Sequence, residues 1–323
     1  MIKPGSLEAK LLELLYYQKA VNFHQIEKVR VRTPSSFEKR ILEEVKSLLQ
    51  STKGKRLEGA LRFLEEYGVI ELNSQGVAKL TGLGKVWGGN LCEWEIQKDT
   101  RTFIENLVDI IDPSISEMKV LDVGCGGGVS LINITMELSD IACLVGLDIS
   151  FEALHIGQRL SNWFYESNNS RKVREHSHLS SVIKFINGTA LSLPFKDESF
   201  DMVISRLTLY LIPREKTLKE IYRVLKKRGK FIVISPSWRY FVMRVFHAHL
   251  DFFQSLKFFF PIINGLCMRY FNKQLTLGHH AIYAESRTSL QKALNSERFD
   301  VSYCNYTTPY HGTAPLMAIC EKR

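Results

Sequence analysis

The sequence predicts an α/β fold: an open, mostly parallel sheet of seven strands whose last strand runs antiparallel, preceded by a mainly helical amino-terminal module. Three observations predict it. From Lys119 onward, strand-like and helix-like segments alternate, the pattern of a parallel sheet covered by helices. A glycine-rich turn at 124–128 follows the first of those strands. The final two strand-like segments have no helix between them, so they must pair antiparallel, because a parallel pair needs a long crossover.

Residues 1–97 read as one unit. Leu7, Leu11, Leu12, Leu14 and Leu15 recur at helical spacing. A second helix starts after Pro34-Ser35-Ser36 and carries Ile41, Val45, Leu48 and Leu49 on one face. A third runs through Tyr67, followed by a strand at 69–72, a turn at Asn73-Ser74-Gln75-Gly76 and a return strand at 77–80. This order resembles a winged helix, a shape used to place a helix in the DNA major groove and also to pair subunits. A linking helix is expected near 99–111. Residues 98–323 form the second domain, with strands expected at 120–124, 144–149, 183–188, 202–205, 230–235, 301–306 and 316–321.

Composition bounds the function classes. The chain has 323 residues and a formal net charge of +9. Such a charge suits nucleic acid or an anionic membrane surface. Much of it lies between Lys39 and Arg56 and in Lys226-Lys227-Arg228, where like charges usually face water. The six cysteines, Cys92, Cys125, Cys143, Cys267, Cys304 and Cys320, show no CxxC spacing, which argues against a zinc site or a disulfide framework and for a cytoplasmic protein without a metal. The amino terminus lacks the pattern of a secretion signal.

The chemistry is written most sharply in KVLDVGCGGGVS, residues 119–130. An apolar strand runs into Asp122, Gly124, Cys125, Gly126 and Gly128, and the glycines allow both a tight turn and close approach of a ligand to bare backbone. A dinucleotide fingerprint would also need glycine at position 129, which is Val129. The next strand ends in Asp148-Ile149, where a carboxylate can accept both hydroxyls of a ribose.

The D-x-G-x-G-x-G form of this loop resembles the first motif of class I methyltransferases. Further on, LPF-x-D-x-SFD at 193–201 and RVLK-x-x-G at 223–229 are similar to the central block of the ubiquinone and menaquinone group of those enzymes. The resemblance covers residues 120–235 and extends weakly to the end. It implies a Rossmann-like sheet and S-adenosyl-L-methionine as cofactor, held by Asp122, Gly124, Cys125, Gly126, Asp148 and Ile149, with Thr189, Ala190 and Arg206 beside it. Two positions depart from the group. Thr189 stands where an aspartate is common, and Tyr210-Leu211 stands where a histidine pair is common. The catalytic residues therefore do not carry over from the family.

Ligand sites in open α/β sheets lie at the carboxyl ends of the strands, so catalytic candidates come from the loops there: Tyr210, His311 beside Tyr310, and His280. The insertion at 238–285 is rich in aromatics, with Val242, Val245, Phe246, Phe253, Leu256 and Phe260 at helical spacing. Its place after the fifth strand makes it a lid over an apolar pocket, and basic flanks leave peripheral membrane contact open.

The expected function is transfer of a methyl group to a small apolar or aromatic acceptor, on oxygen. Many small-molecule O-methyltransferases pair through a winged-helix module, so the resemblance also implies a homodimer. One rival is a nucleic-acid methyltransferase, disfavoured because SRLTLY at 205–210 lacks the Pro-Pro-aromatic motif of base-amine methylation. Another is a regulator without turnover that binds S-adenosylmethionine and uses the wing on DNA.

Overall fold

The computed structural model describes residues 2–30, 36–51, 55–99, 117–137, 141–167, 183–238, 241–242, 252–271, 274–275, 283–306 and 315–323. Helix α1 (Leu7–Gln18) opens the amino-terminal module. The Ser6 hydroxyl accepts the Ala9 N–H at 3.2 Å, satisfying one of the donors that every helix start leaves without an internal partner. Then come β1 (Ala20–Asn22), a 3-10 turn (Phe23–Lys28), α2 (Ser36–Ser51), α3 (Lys55–Glu66) and a hairpin of β2 (Ile70–Leu72) and β3 (Val77–Leu80). In the hairpin turn Asn73 Oδ1 accepts from the N–H groups of Gln75 and Val77, and Gly76 takes a φ of 72°. β3 pairs antiparallel with both others, so the small sheet runs β1-β3-β2.

Helix α4 (Gly82–Asp99) is an element that the sequence reading did not assign. It carries Gly82, Gly84, Gly88 and Gly89, and glycine inside a helix costs about 1 kcal/mol relative to alanine. Packing overrides that cost. A Cβ at Gly84 would stand 1.8 Å from the Val69 carbonyl oxygen, and one at Gly88 would stand 3.2 Å from that of Leu12. The bare backbone lets α4 lie directly on α1 and the hairpin, with Trp87 and Leu91 buried between. The linking helix expected near 99–111 falls outside the described residues beyond Asp99.

The second part alternates strand and helix: β4 (Met118–Val123), α5 (Val129–Glu137), β5 (Ile141–Asp148), α6 (Phe151–Ser167), β6 (Ile183–Asn187), β7 (Phe200–Arg206), a 3-10 turn (Leu209–Leu211), α7 (Arg214–Val224) and β8 (Leu225–Ser235). It ends with α8 (Phe252–Phe271), α9 (Arg287–Ser296), β9 (Phe299–Tyr306) and β10 (Leu316–Lys322). The sheet order is β6-β5-β4-β7-β8-β10-β9. β4 is parallel to β5 and β7, while β10 lies antiparallel between β8 and β9. The expected terminal hairpin is present. β8 begins at Leu225 rather than at 230.

Side chains alternate across the sheet and build two cores. On one face Val120, Leu144, Ile183, Ile204 and Ile232 join Leu131, Ile156, Trp87, Leu91, Leu11 and Leu15 in one cluster. Hydrophobic packing is therefore continuous from α1 to β8. Arg159 of α6 donates to the Tyr67 hydroxyl and lies 5.9 Å from that ring's centroid, a polar tie across the same junction. On the other face Leu121, Val203, Phe231 and Val233 pack against Leu218 and Ile221 of α7, Leu290 and Leu294 of α9, and Phe299.

The insertion leaves and returns at one point. Ser237 forms a parallel bridge with Glu285, and the Trp238 N–H donates to the Glu285 carbonyl at 3.2 Å. The Glu285 carboxylate takes Arg214 Nη1 at 3.2 Å, with both side chains buried. Within the excursion, Asn264 exchanges two hydrogen bonds with the Leu275 backbone at 2.8 and 2.9 Å. Gln274 accepts from Arg214 N–H at 3.1 Å and donates to the Ile212 carbonyl at 3.2 Å, and the Tyr283 N–H donates to the Tyr210 carbonyl at 3.2 Å. Pro261 sits inside α8 and does not end it.

Candidate functional site

The glycine loop follows the carboxyl end of β4, where the strand's alternation turns Asp122 into the site. Gly124, Gly126 and Gly128 have φ values of 76°, 53° and 68°, a region that side chains disfavour. A Cβ at Gly124 would also collide with Thr208 at 2.3 Å. The N–H groups of Gly124 and Cys125 both donate to the Leu147 carbonyl, at 2.7 and 3.1 Å, which ties the loop to the end of β5.

Asp148, at that same end, holds the next part of the loop. Its Oδ2 accepts the Gly126 N–H at 2.8 Å and its Oδ1 accepts the Ser150 N–H at 2.9 Å. Asp122 is buried, and its Oδ1 has no hydrogen-bond partner among the described residues. Burial, reinforced by the charge of Asp148, pushes the Asp122 carboxyl up to about 7. A buried acceptor without a donor calls for a cationic or hydrogen-bonding ligand.

Asp122, Gly124, Cys125, Gly126 and Arg206 line one cavity of about 300 Å³. These are five of the residues that the resemblance assigns to cofactor binding. The others follow along the same edge. Ile149 is 78% exposed, an apolar surface left uncovered next to Asp148. Asn187 Nδ2 donates to the carbonyls of Asp148 and Ile149 and fixes that turn. The Thr189 hydroxyl, exposed, accepts the Leu191 N–H at 3.2 Å. Ala190 is buried in the same core cluster as Leu193 and does not line that cavity. Burial pushes the Cys125 thiol well up, which keeps it protonated and unreactive.

Tyr210 lies in the 3-10 turn after β7, half-buried, its ring centroid 6.3 Å from that of Phe241. His280, Tyr310 and His311 lie outside the described residues. The cavity also contains residues that the sequence reading missed: Tyr16 of α1 and Lys85, Val86, Gly89 and Asn90 of α4, together with Thr208. The pair Gly88-Gly89 inside a helix was the available signal, since glycines there mark close approach of something.

These residues place a glycine loop, two aspartates and a small cavity together at the carboxyl ends of β4 and β5. Residues 114–257 match the family described as a methyltransferase domain. Among curated proteins, the chain is 28% identical to a demethylmenaquinone methyltransferase of Lactiplantibacillus plantarum over 55% of this chain and 70% of that one. It is 27% identical to a ubiquinone/menaquinone biosynthesis C-methyltransferase of Bartonella bacilliformis, over 48% of this chain and 50% of that one. A demethylmenaquinone methyltransferase of a Geobacillus species is 34% identical over 37% of this chain and 45% of its own length. The chain thus spans about half the length of the latter two relatives. Among solved structures, geranyl diphosphate C-methyltransferase from Streptomyces coelicolor aligns with a TM-score of 0.45 at 13% identity, over 69% of this chain and 78% of that one. A SAM dependent methyltransferase from Aquifex aeolicus aligns at 0.44 and 15% identity, over 71% and 97%.

Proposed function

We propose that the protein is a class I S-adenosylmethionine-dependent methyltransferase that methylates a small apolar acceptor of the quinone class on a ring carbon, a reading supported by the methyltransferase-domain match at 114–257 and by the relatives named for quinone biosynthesis. The observation that carries the cofactor half is the buried Asp122 carboxyl, whose Oδ1 has no partner among the described residues, beside a glycine loop held by Asp148. The acceptor half is supported by the names of the relatives, one of them a C-methyltransferase of quinone biosynthesis. They favour carbon over the oxygen that the sequence reading expected.

When bound, S-adenosylmethionine supplies a methyl group on a positively charged sulfur, already a strong electrophile. The chain's own task is alignment and exclusion of water, which supply roughly 7–11 kcal/mol in well-oriented reactions. Asp122 takes the ligand's ammonium group, and Asp148 accepts from ribose hydroxyls beside its two backbone donors. The insertion, hydrogen-bonded to the β7–α7 loop through Gln274 and Tyr283, covers the carboxyl edge where the acceptor must enter. Tyr210 and Phe241 give that edge an aromatic wall. The apolar residues exposed along α8, Ile263, Leu266, Tyr270 and Phe271, support a lid that meets an apolar molecule or touches a membrane peripherally. No helix among the described residues is long and apolar enough to cross a membrane.

We further infer a winged-helix-like module at 1–97, supported by its helix-strand-helix-helix-hairpin order, which pairs two copies of the chain. The activity test is incubation with S-adenosylmethionine and a demethylated hydroquinone, with mass spectrometry locating one added methyl on the ring. Methylation on oxygen would correct the position. Absence of transfer to every hydroquinone, while calorimetry still shows cofactor binding, would discard the acceptor class alone.

A further inference from the structure

One wall of the cofactor cavity comes from outside the methyltransferase segment. Tyr16, Lys85, Val86, Gly89 and Asn90 all precede residue 114, where the family match begins, yet they line the cavity together with Asp122 and the glycine loop. The contact is built and not incidental. Asn90 Oδ1 accepts the Gly127 N–H at 2.6 Å while its Nδ2 donates to the Val86 carbonyl at 2.8 Å, so the carboxamide is held at both ends. A Cβ at Gly127 would stand 2.2 Å from Asn90 Oδ1, and one at Gly89 would stand 3.5 Å from the Tyr16 ring. Glycine at 127 is what lets the loop meet the wall, whereas a Cβ at Gly89 would make only ordinary contact within the wall.

The charges on the lining have a pattern. Asp122 offers a buried carboxylate oxygen with no donor among the described residues. Lys85, exposed at the rim, has no acidic partner among the described residues. A carboxylate and an ammonium group on different walls of one cavity complement an α-amino-acid zwitterion, which presents the opposite charge to each. Asp148 holds the loop from the other side through Gly126, so the amino-acid end of a ligand lies between the two halves of the protein while its nucleoside end meets the half that carries Asp148.

We propose that the amino-terminal module reads the methionine end of S-adenosylmethionine, with Lys85 pairing the ligand's carboxylate and Asn90 positioning the glycine loop through Gly127. The inference rests on the reading that this cavity takes S-adenosylmethionine. It makes the module part of the cofactor site in addition to any role in pairing subunits.

Two probes separate a reading role from a structural one: S-adenosylhomocysteine, and 5′-methylthioadenosine, which keeps the nucleoside and the sulfur but lacks the amino acid. Calorimetry is done on the full chain. Lys85→Ala is expected to weaken S-adenosylhomocysteine about tenfold, the scale of a lost hydrogen bond to a charged group, and to leave 5′-methylthioadenosine unchanged. Asn90→Ala is expected to weaken both, and Asn90→Asp, which keeps an acceptor for the Gly127 N–H, is expected to restore binding of 5′-methylthioadenosine. Lys85 is exposed, so its replacement leaves the fold intact, and a melting curve checks this. Unchanged S-adenosylhomocysteine affinity in Lys85→Ala, or equal weakening of both probes, overturns the proposal. A wild-type chain that binds neither probe overturns the reading of the cavity itself.

Discussion

Asp122 Oδ1 is buried with no hydrogen-bond donor among the described residues, and this has a measurable cost. Its carboxyl sits at about 7 against an ordinary 3.8, with burial as the main cause. The folded chain therefore holds a proton that the unfolded chain releases, and stability falls as pH rises between those two values. Asp122→Asn is expected to melt with the wild type at pH 4 and above it at pH 8, in differential scanning calorimetry without ligand. Cofactor affinity should change in the opposite sense, rising in the wild type as pH passes 7 and staying flat in the variant. Asp148, by contrast, already accepts two backbone N–H groups. Asp148→Ala is expected to lower S-adenosylmethionine affinity by about 1.5–3 kcal/mol, the scale of a charged hydrogen bond. Both aspartates were legible in the sequence because loop and strand end occur at the spacing the fold requires. Lys85 and Asn90 were not, because nothing local in Gly88-Gly89-Asn90 says which distant backbone the glycines admit.

Among the elements, the strands of the large sheet were read correctly to within a few residues, since buried parallel strands announce themselves as apolar runs between turn signals. α4 was missed for a physical reason. Its glycines lower helix propensity, and only contact with α1 and the hairpin, formed by residues far away in sequence, repays them. The insertion was placed by its position and not by its pattern, and α8 runs through Pro261. What holds the insertion down is the buried pair Arg214 and Glu285, which no periodicity reveals. Glu285→Ala strands a guanidinium in the interior and is expected to cost about 3–5 kcal/mol in urea unfolding, whereas replacing both partners by apolar residues of similar volume should cost far less. If the exposed stripe of α8 touches a membrane, anionic liposomes should carry the chain down on sedimentation, and charged replacements at Leu266 and Tyr270 should release it.

For the whole molecule, the cluster that runs from α1 through α4 to one face of the large sheet decides what can be removed. A chain starting near Lys98 would uncover the side of α5 and α6 that now meets α4, including the neighbourhood of Leu131 and Ile156. Such a truncated protein is expected to aggregate or lose its cooperative melt, as contiguous apolar patches do when bared. Pairing of two copies is tested on the full chain by light scattering, and a monomer at micromolar concentration would refute it. α1 is buried almost all round within its own chain, so any pairing surface lies elsewhere on the module. The bridge between Ser237 and Glu285 bears on how this protein could change its diet. Because the two ends of the excursion already touch, its length enters the chain entropy only logarithmically, and each doubling costs just about 0.6 kcal/mol. If the insertion is the proposed lid, the stretch is an exchangeable cassette: one of different length and lining could be swapped in to alter the acceptor while the cavity proposed for the methyl donor stays as it is.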